Sequence, residues 1–331
     1  MLRSSGAQTA LLDCLHQTWS DIPWPGQSAY GHGPLPKCPL PAPPGLEHVP
    51  RRFSRYGLPF QAVSQALSSL DPPDAVLMTT TMTYWYPGGL TMARLIRDRW
   101  PQTPIVLGGT YATLCPDHAT AQDAFDLVLS GPLERSDNWS ALWSLFNLSP
   151  PAQPDPAELS LALDSYQAPG YSIILGSRGC PYSCAYCASK TLHPAFEQRP
   201  ASRVIAEVRS ELARGVRDFA FYDDALLIQP ETWLLPLLHD LTHQQAPVRL
   251  HTPNALHVSR LSPAICKLLH RAGLTTVRLG LESADFEHRL DAKLSREQWE
   301  EGVHNLRQAG FTDDQLGAYI LFGLPGQRDQ E

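Results

Sequence analysis

The sequence predicts an α/β protein in two parts: an N-terminal doubly wound parallel sheet, followed by a partial β/α (TIM-like) barrel. Three observations carry that expectation. Short apolar runs alternate with helix-period segments along most of the 331 residues. The alternation is interrupted by the cluster Pro150-Pro151-Ala152-Gln153-Pro154-Asp155-Pro156, which can neither continue a helix nor occupy a central strand. A second cluster, ten prolines between Pro23 and Pro59 with five glycines among them, reads as an extended, irregular insertion.

The chain therefore divides into a first domain over 1–149 with its Pro-rich insertion at 23–59, a linker over 150–157 and a second domain over 158–331. In the first domain, apolar runs predict strands over 10–12, 75–80, 105–107 and 127–129. Residues recurring at helical spacing predict helices over 61–70, 90–100 and 139–146. In the second, strands are predicted over 171–176, 218–222, 248–251, 276–281 and 318–322, with helices over 202–214, 231–243, 262–271 and 296–308. Gly215, Gly273 and Gly310 follow three of those helices as stop signals. Five strands joined by four crossover helices, with polar residues gathered after each strand, give the barrel. No covering helix follows the last strand before Glu331, so the chain reads as truncated at its C-terminus.

Composition narrows the function. Hydrophobic residues make up 43% and charged residues 18%, which suits a packed protein and not a disordered one. Lys and Arg number 26 against 33 Asp and Glu, for a net charge of −7, and no basic block is present, so no nucleic-acid footprint is read. No apolar run approaches the ~18 residues of a membrane span. The N-terminal apolar stretch is broken by Asp13, so neither membrane nor secretory signal is expected, and the protein reads as cytoplasmic. Seven cysteines is an odd count, and three of them crowd into eight residues, which points to metal and away from a disulfide framework.

Those three lie in Cys180-Pro181-Tyr182-Ser183-Cys184-Ala185-Tyr186-Cys187, a C-x3-C-x2-C spacing directly after the first strand of the second domain. Thiolates at such short spacings hold iron–sulfur clusters, and loops at the C-terminal mouth of a barrel carry its reactive groups. Three thiolates on a four-iron cluster leave one iron open to a ligand. A structural zinc site is the alternative; it wants a fourth ligand, and His193 is near enough in sequence to serve. The run from Arg178 to Cys187 resembles the signature of the radical S-adenosylmethionine (radical SAM) superfamily.

That resemblance implies a [4Fe-4S] cluster on Cys180, Cys184 and Cys187, with S-adenosylmethionine chelating the open iron. It implies reductive cleavage to a 5′-deoxyadenosyl radical that attacks an unidentified substrate, fed by a reducing partner such as flavodoxin or ferredoxin. Tyr186 is then expected near the adenine. Phe221-Tyr222-Asp223-Asp224 ends the second strand, where the superfamily contacts the methionine amino group. The usual Gly-Gly-Glu is replaced, so which aspartate acts stays open. Asn254 after the third strand, and Glu282 and Ser283 after the fourth, fall where polar groups reach the ribose or carboxylate. Gly323 to Gly326 ends the fifth strand, in the place of the adenine-binding backbone. The resemblance spans about 169 to 327. On the residues alone, Asp223 and Asp224 also suit a helix cap, and Asn254 and Ser283 suit turns. Arg278, on the same strand face as Gly280 and Glu282 by alternation, reads equally as a cofactor contact or as the partner of a buried carboxylate.

In the first domain, Met82 to Gly89 and the run Val106-Leu107-Gly108-Gly109 resemble the N-terminal domain of B12-binding radical SAM proteins. This implies a cobalamin-binding-like sheet, with Gly108 and Gly109 where a tetrapyrrole or its nucleotide tail would lie. Glycines after a strand allow close approach of a large ligand, or simply a tight turn. The Asp-x-His-x-x-Gly cobalamin motif is missing: Asp13-Cys14-Leu15-His16 displaces the histidine by one and supplies no glycine. A lower-axial histidine is therefore not expected. Cys14, Cys115 and Cys266 read as packed small residues. The implied reaction is either cobalamin-dependent methyl transfer or hydrogen abstraction, and the alternative is a non-catalytic electron-transfer protein or an inactive fragment.

Overall fold

A computed structural model describes residues 1–16, 34–153, 155–166, 170–243, 247–289 and 293–323. The chain forms two compact units, Met1–Pro156 with Asp164–Gln167, and Ala157–Leu163 with Ala168–Glu331.

In the first unit, β1 (Lys37–Leu40) and β2 (Phe53–Tyr56) pair antiparallel. The insertion at 23–59 is thus not irregular throughout, although its residues 23–33 lie outside the described residues. Both strands of a two-stranded ladder are edges, which is why Pro39, lacking an N–H, is tolerated opposite Ser54. The strand predicted over 10–12 does not form. That segment has no ladder partner among the described residues, and the Asp13 Oδ1 accepts from the Leu15 N–H at 2.8 Å to close a turn instead.

There follow α1 (Phe60–Ser68), β3 (Val76–Thr80), α2 (Tyr86–Arg99), β4 (Ile105–Gly108), α3 (Gly109–Leu114), α4 (Pro116–Thr120), β5 (Leu127–Val128) and α5 (Ser136–Ser144). The three strands pair in parallel in the order β3-β4-β5. Among the described residues this order lacks the reversal that creates a switch point in a doubly wound sheet. The central strand β4 is covered on both faces, so Ile105, Val106 and Leu107 are all buried and read as one continuous apolar run. Ile105 packs with Val63 and Ile96, Leu107 with Tyr111 and Ala119, and Val106 with Leu129 and Leu142.

The second unit runs β6 (Ser172–Ile174), β7 (Ser177–Arg178), α6 (Ser189–Leu192), β8 (Glu197–Gln198), α7 (Ala201–Ala213), β9 (Asp218–Phe221), α8 (Leu234–Thr242), β10 (Arg249–His251), α9 (Pro263–Arg271), β11 (Leu274–Glu282), α10 (Arg296–Gln308) and β12 (Leu316–Ile320). A five-stranded parallel sheet has the order β12-β11-β10-β9-β6, while β7 and β8 form a separate antiparallel pair. Helix starts follow local chemistry. Ser262 accepts from the Ile265 N–H at the start of α9, and Ser295 with Gln298 forms a capping box on α10. Gly215, Gly273 and Gly310 adopt positive φ just past α7, α9 and α10, as helix stops require.

One face of this sheet buries Ile174, Phe219, Phe221, Leu250, Val277 and Leu279 against the helices. By alternation Asp218, Arg249, His251, Thr276 and Arg278 present the other face. There Asp218 is bound through both oxygens by Arg249, His251 Nε2 lies 3.3 Å from the Asp218 carboxylate, and His251 Nδ1 lies 3.0 Å from Thr276 Oγ1. Parallel pairing also brings the C-terminal ends of all five strands to one edge of the sheet, and the candidate site residues follow those ends.

Candidate metal and cofactor site

The cysteine loop follows β7, and two buried charged groups hold the turn that joins β6 to β7. Arg199, paired with Glu207 at 2.5 Å, donates to the Leu175 carbonyl at 2.8 Å. Asp223 is 2% exposed, and its Oδ1 accepts from the Gly176 N–H at 3.1 Å, the Ser177 N–H at 2.5 Å and the Ser177 hydroxyl at 2.6 Å. Its Oδ2 is buried with no partner among the described residues. Burial outweighs these hydrogen bonds and pushes the carboxyl up to about 6.

All three cysteines are free thiols; Cys180 and Cys184 are partly buried and Cys187 is exposed. Burial raises the Cys180 thiol, the Tyr182 N–H opposes, and the nearby Cys187, Cys184 and Asp224 add to the rise. These groups therefore share one electrostatic neighbourhood, and an iron core bound there would supply positive charge to the thiolates. The donor set fits such a core chemically: three thiols on one short loop, one for each of three irons. Among the described residues no three His, Cys, Asp or Glu groups converge as a ready-made single-ion site. His193 sits at the C-terminal end of α6, its N–H bonded to the Ser189 carbonyl.

The other expected residues are at the neighbouring strand ends. No helix begins at Asp223 or Asp224; the chain runs there as a turn until α8, so neither is a helix cap. Asp224 is partly exposed. The Asn254 Nδ2 donates to the Tyr222 carbonyl at 2.9 Å and to the Asp223 carbonyl at 3.4 Å, tying the loop after β10 to the end of β9. Glu282 has φ +63°, sparsely populated for a residue with a side chain, and lies where the β11–β12 register shifts. Ser283 accepts from the Asp285 N–H at 3.1 Å in a turn. Arg278 donates to the Val277 carbonyl at 3.1 Å. Gly323 has φ +83° beyond β12, whereas Gly326 lies outside the described residues.

Sequence reasoning missed three basic residues in this neighbourhood. His257 stacks on Tyr182 of the cysteine loop, with centroids 4.7 Å apart and planes at 25°, and the Arg260 Nε is 3.4 Å from the Tyr182 hydroxyl. Burial first, then the cations Lys293 and Arg260, lower the His257 ring to about 4. Lys293 pairs with Glu282 at 2.8 Å and lies 5.9 Å from the Tyr186 ring centroid. None of the three sits in a motif, so only the fold could gather them.

In the first unit, Gly108 and Gly109 close β4. Gly109 has φ +80°, and a Cβ there would lie 2.0 Å from Thr79 Oγ1, so only glycine fits. The two line a cleft of about 200 Å³ with Thr79, Val106, Leu129 and Gly131. Asp13 Oδ2 accepts from the Tyr166 hydroxyl at 3.0 Å, and burial lowers the His16 ring. Cys266 is fully buried in the second unit's core, its thiol raised to about 12. Cys14 and Cys115 are partly buried.

Among the described residues, no helix is long and apolar enough to cross a membrane. Residues 174–331 match the Radical SAM superfamily model. An uncharacterized methyltransferase of Pyrococcus horikoshii is 22% identical over 310 residues, covering 83% of this chain and 65% of the relative. Two solved structures of the radical S-adenosylmethionine methyltransferase TsrM from Kitasatospora setae share the fold. The one with tryptophan substrate and a SAM analogue matches with TM-score 0.57 at 17% identity, over 81% of this chain and 60% of that one. The one with cobalamin and a [4Fe-4S] cluster matches with TM-score 0.57 at 18% identity, over 80% and 62%. The chain thus spans a little under two-thirds of the length of these relatives. The cysteine motif Cys180–Cys187 lies inside the region, residues 174–331, that matches the Radical SAM superfamily model.

Proposed function

We propose that the second unit is a partial radical SAM barrel whose Cys180, Cys184 and Cys187 hold a [4Fe-4S] cluster beside bound S-adenosylmethionine, and that the first unit is a cobalamin-binding-like domain. The observation that carries this reading is one sheet edge: three free cysteines with Asp224, Asn254 and Glu282 at the ends of adjacent parallel strands. A reduced four-iron cluster held by Cys180, Cys184 and Cys187 would supply the one electron that splits S-adenosylmethionine into methionine and a 5′-deoxyadenosyl radical, being itself oxidised by one electron and re-reduced by the electron donor.

The chain's own residues divide the remaining work. Asp223 is buried and holds the turn between β6 and β7 through Oδ1, so the partly exposed Asp224 is the aspartate left to accept from the methionine ammonium. Asn254 uses its amide hydrogens on Tyr222 and Asp223 and keeps its carbonyl oxygen for the cofactor. Glu282 and Ser283 serve the ribose or carboxylate, Tyr186 offers a ring to the adenine, and Gly323 with Gly326 offers backbone. The side chains hold the ligands in one orientation and exclude water. The cleft at Gly108 and Gly109 takes the corrinoid. The fold shared with TsrM and the methyltransferase relative support methyl transfer over simple hydrogen abstraction, with an electron donor of the flavodoxin or ferredoxin class.

The test is product analysis. Reconstituted protein carrying roughly four irons per chain, incubated anaerobically with dithionite, S-adenosylmethionine and cobalamin, should yield 5′-deoxyadenosine or S-adenosylhomocysteine. Cys184→Ala should yield neither. A fully loaded wild-type protein that forms no product is instead an electron carrier or an inactive fragment.

A further inference from the structure

The left-handed conformation of Glu282 is sustained by a small built cradle. A residue with a side chain at positive φ is strained and persists only where its surroundings over-determine it. Here the surroundings come from three parts of the chain. Lys293 pairs with Glu282 Oε1 at 2.8 Å, and both side chains are only 13% exposed. Gly280 makes room for the pair: a Cβ there would lie 2.9 Å from Glu282 Oε1 and 3.6 Å from Lys293 Nζ. On its far side the ammonium faces the Tyr186 ring, beside Cys187. Among the described residues Glu282 Oε2 takes no hydrogen bond.

We propose that Lys293 is a positioning residue of the cofactor pocket, holding Glu282 by one oxygen so that the other accepts from the hydroxyls of the bound nucleoside. This rests on the reading of Glu282 as a cofactor contact. A carboxylate tethered by one charge-assisted bond keeps a second oxygen in a fixed place, so the nucleoside meets an ordered acceptor. The same ammonium links the end of β11 to the cysteine loop through Tyr186.

The experiment is equilibrium dialysis of S-adenosylmethionine against reconstituted protein with the cluster oxidised, so that no turnover intervenes. Iron content and melting temperature are measured alongside. Lys293→Met should weaken binding about tenfold, the size of one lost charge-assisted hydrogen bond, with iron content unchanged. Lys293→Arg, which restores a cation, should bind within about threefold of wild type. Glu282→Gln should weaken binding without further loss when combined with Lys293→Met, because the two act as one unit. Lys293→Met binding within about twofold of wild type overturns the role of Lys293 alone. An iron-loaded wild-type protein that binds no S-adenosylmethionine overturns the cofactor reading, and the proposal with it.

Discussion

Asp223→Asn isolates the cost of burying a charge beneath the cysteine loop. Asp223 is 2% exposed, and its folded carboxyl sits at about 6 against an ordinary 3.8. The folded state therefore holds the proton more tightly than the unfolded chain does. The stability this group contributes is fully present below pH 3.8, is lost as the pH rises through about 6, and is absent above that. A displacement of about two pKa units corresponds to about 3 kcal/mol. Asparagine keeps an oxygen for the Gly176 N–H, the Ser177 N–H and the Ser177 hydroxyl but cannot ionise. Urea unfolding at a series of pH values should then show Asp223→Asn close to wild type near pH 4 and more stable by about 3 kcal/mol at pH 7.5. Asp223→Ala strands two backbone N–H groups and should be less stable by about 2–5 kcal/mol near pH 4, a deficit that shrinks by about 3 kcal/mol at pH 7.5 because the buried charge is gone there too. A stability difference between Asp223→Asn and wild type that does not change with pH would refute the assignment of a buried, ionisable clamp.

Other expectations follow from single contacts. His257 is lowered to about 4 by burial, Lys293 and Arg260, so its contribution to stability is full above pH 6.5 and is lost as the pH falls towards 4. His257→Phe keeps the ring on Tyr182 and should flatten that part of the acid limb in the same titration; an unchanged limb contradicts the shift. Gly109→Ala must place a Cβ against Thr79 Oγ1 at positive φ and should cost about 2–4 kcal/mol. Gly215→Ala, also at positive φ but with nothing within 4 Å, should cost only about 1 kcal/mol. Equal losses in thermal melts would show that the Thr79 contact does not matter.

Periodicity made most of the second unit legible in the sequence. The helix expected over 296–308 matches α10 to the residue, because its capping box fixes the start and Gly310 the stop. The strands lie where apolar runs occur, since one face of each packs on helices. What periodicity could not give was the start of the first unit, where Asp13 closes a turn in place of a strand, or the pairing of β1 with β2 inside a proline-rich stretch. It also missed α3, because Gly108-Gly109 reads as a turn until the fold shows Gly109 opening a helix. The cysteine motif and the strand-end residues were visible as spacing and order. Their division of labour was not: Asp223 and Asp224 are adjacent in sequence, and only burial shows that Asp223 faces inward to Ser177. Lys293 and His257 are far in sequence from the cysteines, so their place beside Tyr186 and Tyr182 comes from tertiary packing alone.

Electron paramagnetic resonance tests most directly whether Cys180, Cys184 and Cys187 hold a cluster with one iron open to S-adenosylmethionine. The protein would be reconstituted anaerobically with iron and sulfide, reduced with dithionite, and its spectrum recorded with and without the compound. The expected result is a reduced four-iron signal that shifts when S-adenosylmethionine is added and disappears in Cys184→Ala. A four-iron signal indifferent to S-adenosylmethionine, or a colourless protein that binds zinc in place of iron, would contradict it.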